Sequence, residues 1–217
     1  MPKDQPFELH SAAFDEWFSE HPQIFKAELS AVGSFLRPGA HGVEVGVGTG
    51  RFASELGIGV GVEPSASMGQ VARSRGVDVV KGTAEDLPFG DGEFDVVLMV
   101  TTICFVDDLG RAFREARRVL KESGSIVVAF IDADSPLGKG YQARKADSVF
   151  YADATSYTAR EVTPRLGEAG FTGFEYRQTV FGSEDAPYPV LAGLGAGGFV
   201  VIRARAVIGA DADVRES

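Results

Sequence analysis

Three glycines at alternate positions, Gly46, Gly48 and Gly50, follow Val43 and Val45 in the run Gly-Val-Glu-Val-Gly-Val-Gly-Thr-Gly that starts at Gly42. The two valines are β-branched residues at strand spacing, and the glycines let the chain turn sharply and let a ligand touch bare backbone. A helix beginning there turns unpaired N–H groups and a partial positive charge toward whatever lies over the loop. The spacing Gly-x-Gly-x-Gly is one residue shorter than the dinucleotide fingerprint Gly-x-Gly-x-x-Gly. Glu44 precedes the loop, and Gly59-Val-Gly-Val-Glu63 reads as a second short strand ending in an acid that can accept hydrogen bonds from both hydroxyls of a ribose. Strand, glycine loop, helix, strand and acid together make one nucleoside-binding half.

Four ordered blocks carry a family resemblance: Val43-Glu-Val-Gly-Val-Gly-Thr-Gly50, Val60-Gly-Val-Glu-Pro-Ser65, Gly82-Thr-Ala-Glu-Asp-Leu-Pro-Phe89, and Phe94-Asp-Val-Val-Leu98 with the helix and strand that follow it. In these the chain resembles the class I S-adenosylmethionine-dependent methyltransferases, in the branch similar to ubiquinone and menaquinone biosynthesis methyltransferases, over residues 30–180. The resemblance implies an α/β, Rossmann-like sheet of seven mostly parallel strands in the order 3-2-1-4-5-7-6, strand seven antiparallel, with helices on both faces. It implies S-adenosyl-L-methionine as cofactor and S-adenosyl-L-homocysteine as product. By the same resemblance Gly46 and Gly48 approach the methionine part and Glu44 orients its amino group. Glu63, followed by Pro64, holds the ribose, Ala84 and Glu85 meet the adenine edge, and Thr101 lies beside the sulfonium. Where the family often has Asp, this chain has Thr83.

The remaining elements must place these residues. Apolar positions recur at helical intervals from residue 9 to 36, and His21-Pro22 divides them into two helices, because the residue before proline is pushed out of helical geometry. Phe14, Trp17 and Phe18 either close over the cofactor as a lid or pack on the sheet as core. Ser65 or Ser67 can cap a second helix to Arg75, and 77–80 reads as the third strand. Glu85 or Asp86 can read a ring edge from the polar loop 82–88.

Phe94 to Val100 is a nearly unbroken apolar run, expected of a strand covered on both faces. Thr101 to Phe105 follow at its carboxyl end, where open α/β sheets place ligands. Asp107 and Asp108 suit either caps of the helix 109–120 or cation ligands and bases, with capping favoured. Residues 135–157 interrupt the βα rhythm with Tyr141, Phe150, Tyr151 and Tyr157, as a cap over the pocket or as a locally packed excursion. Thr158 with Glu161 is a capping box, and 171–181 and 197–205 read as an antiparallel pair at the sheet edge, joined by a loop. Phe14, Trp17, Phe105 and Tyr157 are the candidate acceptor contacts. His10, His21, Tyr157 and Asp132 are candidate bases, none singled out, so the catalytic residue is open.

Composition bounds the partners. The 217 residues suit one methyltransferase domain over 1–205, with an N-terminal helical lid at 1–36, the cap insertion at 135–157 and a frayed tail at 206–217. The formal charge is −10 and no long Lys/Arg run occurs, which disfavours nucleic acid and anionic membrane surfaces and leaves a small-molecule acceptor. A single cysteine, Cys104, excludes an internal disulfide and a four-cysteine zinc site, and no metal is expected. Without an apolar signal segment or membrane span the expected location is cytoplasmic. Two other functions compete: a nicotinamide-dependent oxidoreductase, for which the glycine spacing is wrong, and a non-catalytic adenosyl-nucleoside binding protein, which would lack an acceptor cavity near Thr101. Oligomeric state is not legible.

Overall fold

The computed structural model describes residues 5–207. Eight strands form one sheet in the order β3-β2-β1-β4-β5-β8-β6-β7. They are β1 (Gly42–Val45), β2 (Val60–Val62), β3 (Asp78–Val80), β4 (Phe94–Val100), β5 (Leu120–Ile131), β6 (Phe171–Thr179), β7 (Leu191–Ala192) and β8 (Phe199–Ala206). The first five are parallel, and β8 runs antiparallel to both β5 and β6. The expected seven strands and their order are present. The eighth is β7, two residues of the expected loop 182–196 that pair antiparallel with β6 at Arg177 and Gln178. Of the tail expected from Ala206, Ala206 instead closes β8, and the part from residue 208 lies outside the described residues.

Alternation along β4 explains why helices cover both faces. Val97 and Met99 point into one apolar cluster with Val43, Val45, Phe113 and Val162, whereas Val96, Leu98 and Val100 point into another with Ile24, Val32, Phe52 and Ala72. The first cluster is closed by α6 (Leu109–Val119) and α8 (Ala159–Glu168), the second by α3 (Pro22–Gly33), α4 (Arg51–Leu56) and α5 (Ala66–Ser74). Fully burying one such valine or leucine contributes about 1.5–3 kcal/mol, so the two-sided strand anchors the sheet.

The helix starts follow from local chemistry. Ser65 Oγ accepts the Met68 N–H at 3.2 Å and Asp108 Oδ1 accepts the Arg111 N–H at 2.9 Å, each a cap of about 1 kcal/mol. Thr158 and Glu161 form the reciprocal capping box, with the Glu161 N–H on Thr158 Oγ1 at 3.2 Å and the Thr158 N–H on Glu161 Oε2 at 2.9 Å.

Among the described residues three helices precede the sheet. The chain enters through α1 (Gln5–Leu9), not anticipated as a separate helix, and α2 (Ser11–Glu20), and the break before Pro22 starts α3. Neither α1 nor α2 has a fully buried residue, yet both are fastened down. Asp15 receives Arg51 Nε at 2.9 Å and Arg75 Nη2 at 2.8 Å, and Arg75 also reaches the Thr49 carbonyl at 2.6 Å. Burial pulls the Asp15 carboxyl upward, but the two arginines outweigh it and hold it far below the usual carboxylate range. Glu8 accepts Ser65 Oγ–H at 2.6 Å and the Ser67 N–H at 3.1 Å, tying α1 to the start of α5.

Along α3 the buried stripe is Ile24, Ala27, Glu28, Ala31 and Val32. Glu28 occupies an apolar position in it with 6% exposure and, among the described residues, no hydrogen-bond or ion partner. Burial pushes its carboxyl up to about 8. Between the ordinary value of 4.5 and about 8 the folded state therefore holds a proton that the unfolded chain has lost, and stability falls as pH rises through that window. Glu28→Gln removes this penalty. Thermal melts at pH 5 and pH 8 should show the variant gaining on the native protein as pH rises, and an advantage that does not grow with pH would contradict it.

Candidate functional site

The glycine loop folds back on β2: the Gly46 and Val47 N–H groups both donate to the Val62 carbonyl, at 2.9 and 3.0 Å. Gly46 has φ +69°, and a Cβ there would lie 2.5 Å from Thr102 Cγ2, so no other residue fits. Gly48 has φ +55°, and a Cβ there would meet only the Phe14 ring at 3.8 Å, which leaves its backbone open toward a cavity. The Gly48 N–H donates to Glu63 Oε2 at 2.8 Å, and Glu63 Oε1 accepts the Ser65 N–H at 3.0 Å. One buried carboxylate thus joins the loop after β1 to the loop after β2.

Over these loops lies a cavity of about 550 Å³, within the range of about 300–1,000 Å³ usual for small-molecule sites. Of the residues expected to hold a cofactor, Gly46, Gly48, Glu63, Pro64, Ala84, Glu85 and Thr101 all line it. Glu44 does not. Its carboxylate is buried behind the loop, where the Ala53 backbone is its hydrogen-bond partner and Oε2 has none. Burial, partly offset by Ala53 and reinforced by Glu63, drives its carboxyl well above the usual range. The side chain of a strand residue adjacent to Val43 and Val45 points to the opposite face of the sheet from theirs, which is why Glu44 supports the loop from beneath. Glu85 Oε1 accepts the Asp107 and Asp108 N–H groups at 2.8 and 3.3 Å, fixing the loop 82–88 against the start of α6. Asp108, whose Oδ1 accepts the Arg111 N–H, is the cap of α6, as expected.

A second cavity of about 400 Å³ adjoins the first. Phe14, Thr101 and Tyr151 line both. Thr101 has φ +50°, an outlying conformation for a β-branched residue that costs on the order of 1–3 kcal/mol. It is held by its own N–H on the Ala129 carbonyl at 2.8 Å and by the Cys104 thiol, which donates to its carbonyl at 3.1 Å. Trp17 and Tyr157 line the second cavity, as do Phe18 and Phe52. Phe105 lies on the first cavity instead, because the 3₁₀ turn Ile103–Phe105 swings its ring toward Phe7, 4.9 Å away.

Of the other candidate bases, Asp132, His21 and His10 line neither cavity. Asp132 accepts the Asp134 N–H at 2.9 Å and the Ala159 N–H at 3.3 Å, fixing the start of α8. His21 Nδ1 lies 2.9 Å from the Trp17 carbonyl and its ring stacks on the indole at 4.6 Å, while His10 stands edge-on to Phe150. Burial, with the charges of Cys104, Tyr141 and Glu28, pushes the Tyr151 phenol far up, so it stays protonated at neutral pH. Two residues were missed from the sequence. Phe7, beyond the helical run recognised there, packs on Phe14, Phe105 and Phe150 at 5.5, 4.9 and 5.4 Å and lines the first cavity. Glu28 lines the second, and its signal was an acid four residues from both Ile24 and Val32 on an apolar stripe.

Comparison with known proteins gives one answer. Residues 43–128 match the family described as a methyltransferase domain. A crystal structure from Thermotoga maritima, described as an S-adenosylmethionine-dependent methyltransferase and possible histamine N-methyltransferase, is 46% identical with a TM-score of 0.90, covering 94% of this chain and 99% of that one. An uncharacterized protein of Methanocaldococcus jannaschii is 41% identical over 203 residues, 93% of this chain and 98% of the relative. The ubiquinone/menaquinone biosynthesis C-methyltransferase of Stenotrophomonas maltophilia is 30% identical over 68% of this chain and 72% of its own length. On these identities and coverages the chain belongs to the S-adenosylmethionine-dependent methyltransferases.

Proposed function

We propose that this methyltransferase holds S-adenosyl-L-methionine in the first cavity, transfers its methyl to a small molecule seated in the second, and releases S-adenosyl-L-homocysteine. The observation that carries the reading is the meeting of the two cavities at Phe14, Thr101 and Tyr151. An adenosyl amino acid fits the first: the open Gly48 backbone admits a methionine chain, the Glu63 carboxylate can accept from ribose hydroxyls, and Ala84 with Glu85 offers an edge for the adenine. Glu44 acts at one remove, through the loop it supports. The cofactor supplies a methyl group already activated by a sulfonium. The protein's part is then alignment and exclusion of water, since no side chain must react covalently.

The aromatic cluster of Phe7, Phe14 and Phe150, over the junction, suits that exclusion. Of the lid expected over 1–36, α1 and α2 serve that part, whereas α3 belongs to the core; residues 135–157 serve as a cap on the same methyltransferase domain. Nothing favours an oxidoreductase, and a mere nucleoside-binding protein has no need of the second cavity. The description of the T. maritima protein places amines among the acceptor classes to consider, beside the carbon acceptor named for the S. maltophilia relative. The single cysteine, with its thiol on the Thr101 carbonyl, suits a reducing cytoplasm. Among the described residues no helix is long and apolar enough to cross a membrane.

Calorimetric titration should show S-adenosyl-L-homocysteine binding and no binding of NADH. Glu63→Ala should weaken the adenosyl ligand at least tenfold, since a hydrogen bond to a charged group contributes about 1.5–3 kcal/mol. Binding of NADH alone, or an unchanged Kd in the variant, contradicts the assignment. Asp15→Asn, which loosens the ties of α2 to Arg51 and Arg75, should speed dissociation of S-adenosyl-L-homocysteine several-fold in stopped-flow measurements while the protein still melts cooperatively. An unchanged rate would argue against a lid.

A further inference from the structure

The second cavity is built for more than an apolar shape. Aromatic side chains make nine of its 24 lining residues, among them Trp17, Phe18, Phe52, Phe150 and Tyr151. Into this wall α3 sets Glu28, about nine-tenths buried and without a hydrogen-bond or ion partner among the described residues. An acid in such surroundings keeps its proton unless something of opposite charge meets it there. Aromatic faces attract cations as well, so carboxylate and rings ask for the same ligand. Lys145 also lines the cavity but makes no ion pair with Glu28.

We infer that the second cavity takes a protonated amine carried on a flat, apolar body, with the Glu28 carboxylate as its counter-ion and the aromatic wall holding the body. The inference rests on the reading of this cavity as the acceptor site, and it makes Glu28 the residue that selects cationic over neutral acceptors. The volume of about 400 Å³ limits the ligand to a small one. Because burial keeps Glu28 protonated at neutral pH when nothing is bound, arrival of an ammonium group displaces that proton to solvent. The other titratable groups on this wall are Glu20, Cys104, Tyr141, Lys145, Tyr151 and Tyr157.

The test uses the full chain, with and without saturating S-adenosyl-L-homocysteine, titrated with 2-phenylethylamine and with its neutral counterpart 2-phenylethanol. The amine should bind at least tenfold tighter than the alcohol. Its binding heat at pH 7 should differ between phosphate and Tris buffers by the amount that release of about one proton demands. Glu28→Gln should abolish both the preference and the proton release while leaving S-adenosyl-L-homocysteine affinity within twofold. Equal affinity for amine and alcohol, a preference that survives in Glu28→Gln, or no amine binding at millimolar concentration overturns the inference. Failure of the adenosyl ligand to bind is a separate result that instead overturns the cofactor assignment.

Discussion

A single carboxylate bridges the two loops that define the site. Glu63 takes the Gly48 N–H on one oxygen and the Ser65 N–H on the other, so the turn after β1 and the turn after β2 cannot drift apart. The bond to Gly48 is possible because the loop enters the left-handed region at Gly46 and Gly48, and because Gly46 carries no Cβ to collide with Thr102. A buried carboxylate that accepts two backbone N–H groups is stabilised where an isolated one would be expelled. The bridge lies in the wall of the cavity above the loops, beside the packed side chains of Val45, Val62 and Met68.

The N-terminal cover rests on the same frame. Asp15 clasps Arg51, the first residue of α4, and Arg75, the C-cap of α5, while Glu8 engages the start of α5. These polar ties surround an aromatic interior of Phe7, Phe14, Phe105 and Phe150. With no fully buried residue in α1 or α2, the cover is held by a few ion pairs, ring contacts and the partial burial of Trp17 and Phe18 against the core, the balance expected of a segment that must part from the site to exchange ligands.

Features written in neighbouring residues were legible without coordinates. The capping box of Thr158 and Glu161, the cap at Asp108, the break at Pro22 and the two-faced strand β4 each depend on chemistry within a few positions of the chain. What escaped depends on partners distant in sequence. Two residues of β7 become a strand only because β6 offers an edge, and Leu120, expected to end the helix 109–120, starts β5 because Phe94 pairs with it. Glu44 shared its motif with the glycines, yet strand alternation turned it away from the cavity. Phe105 was placed by a 3₁₀ turn that composition does not announce. Glu28 is the instructive case, since an acid on an apolar helical stripe conflicts with its own pattern, and such conflicts mark sites where burial answers to something other than stability.

Two adjoining cavities that share Phe14, Thr101 and Tyr151 turn a cofactor fold into a transfer site, and the strained backbone at Thr101 stands where they meet. The most direct measurement is a crystal structure with S-adenosyl-L-homocysteine bound. The account predicts ribose hydroxyls on Glu63, the amino acid portion along Gly46 and Gly48, and the sulfur beside Thr101, facing the aromatic cavity. A ligand whose sulfur points away from that cavity, or whose ribose lies out of reach of Glu63, would contradict it.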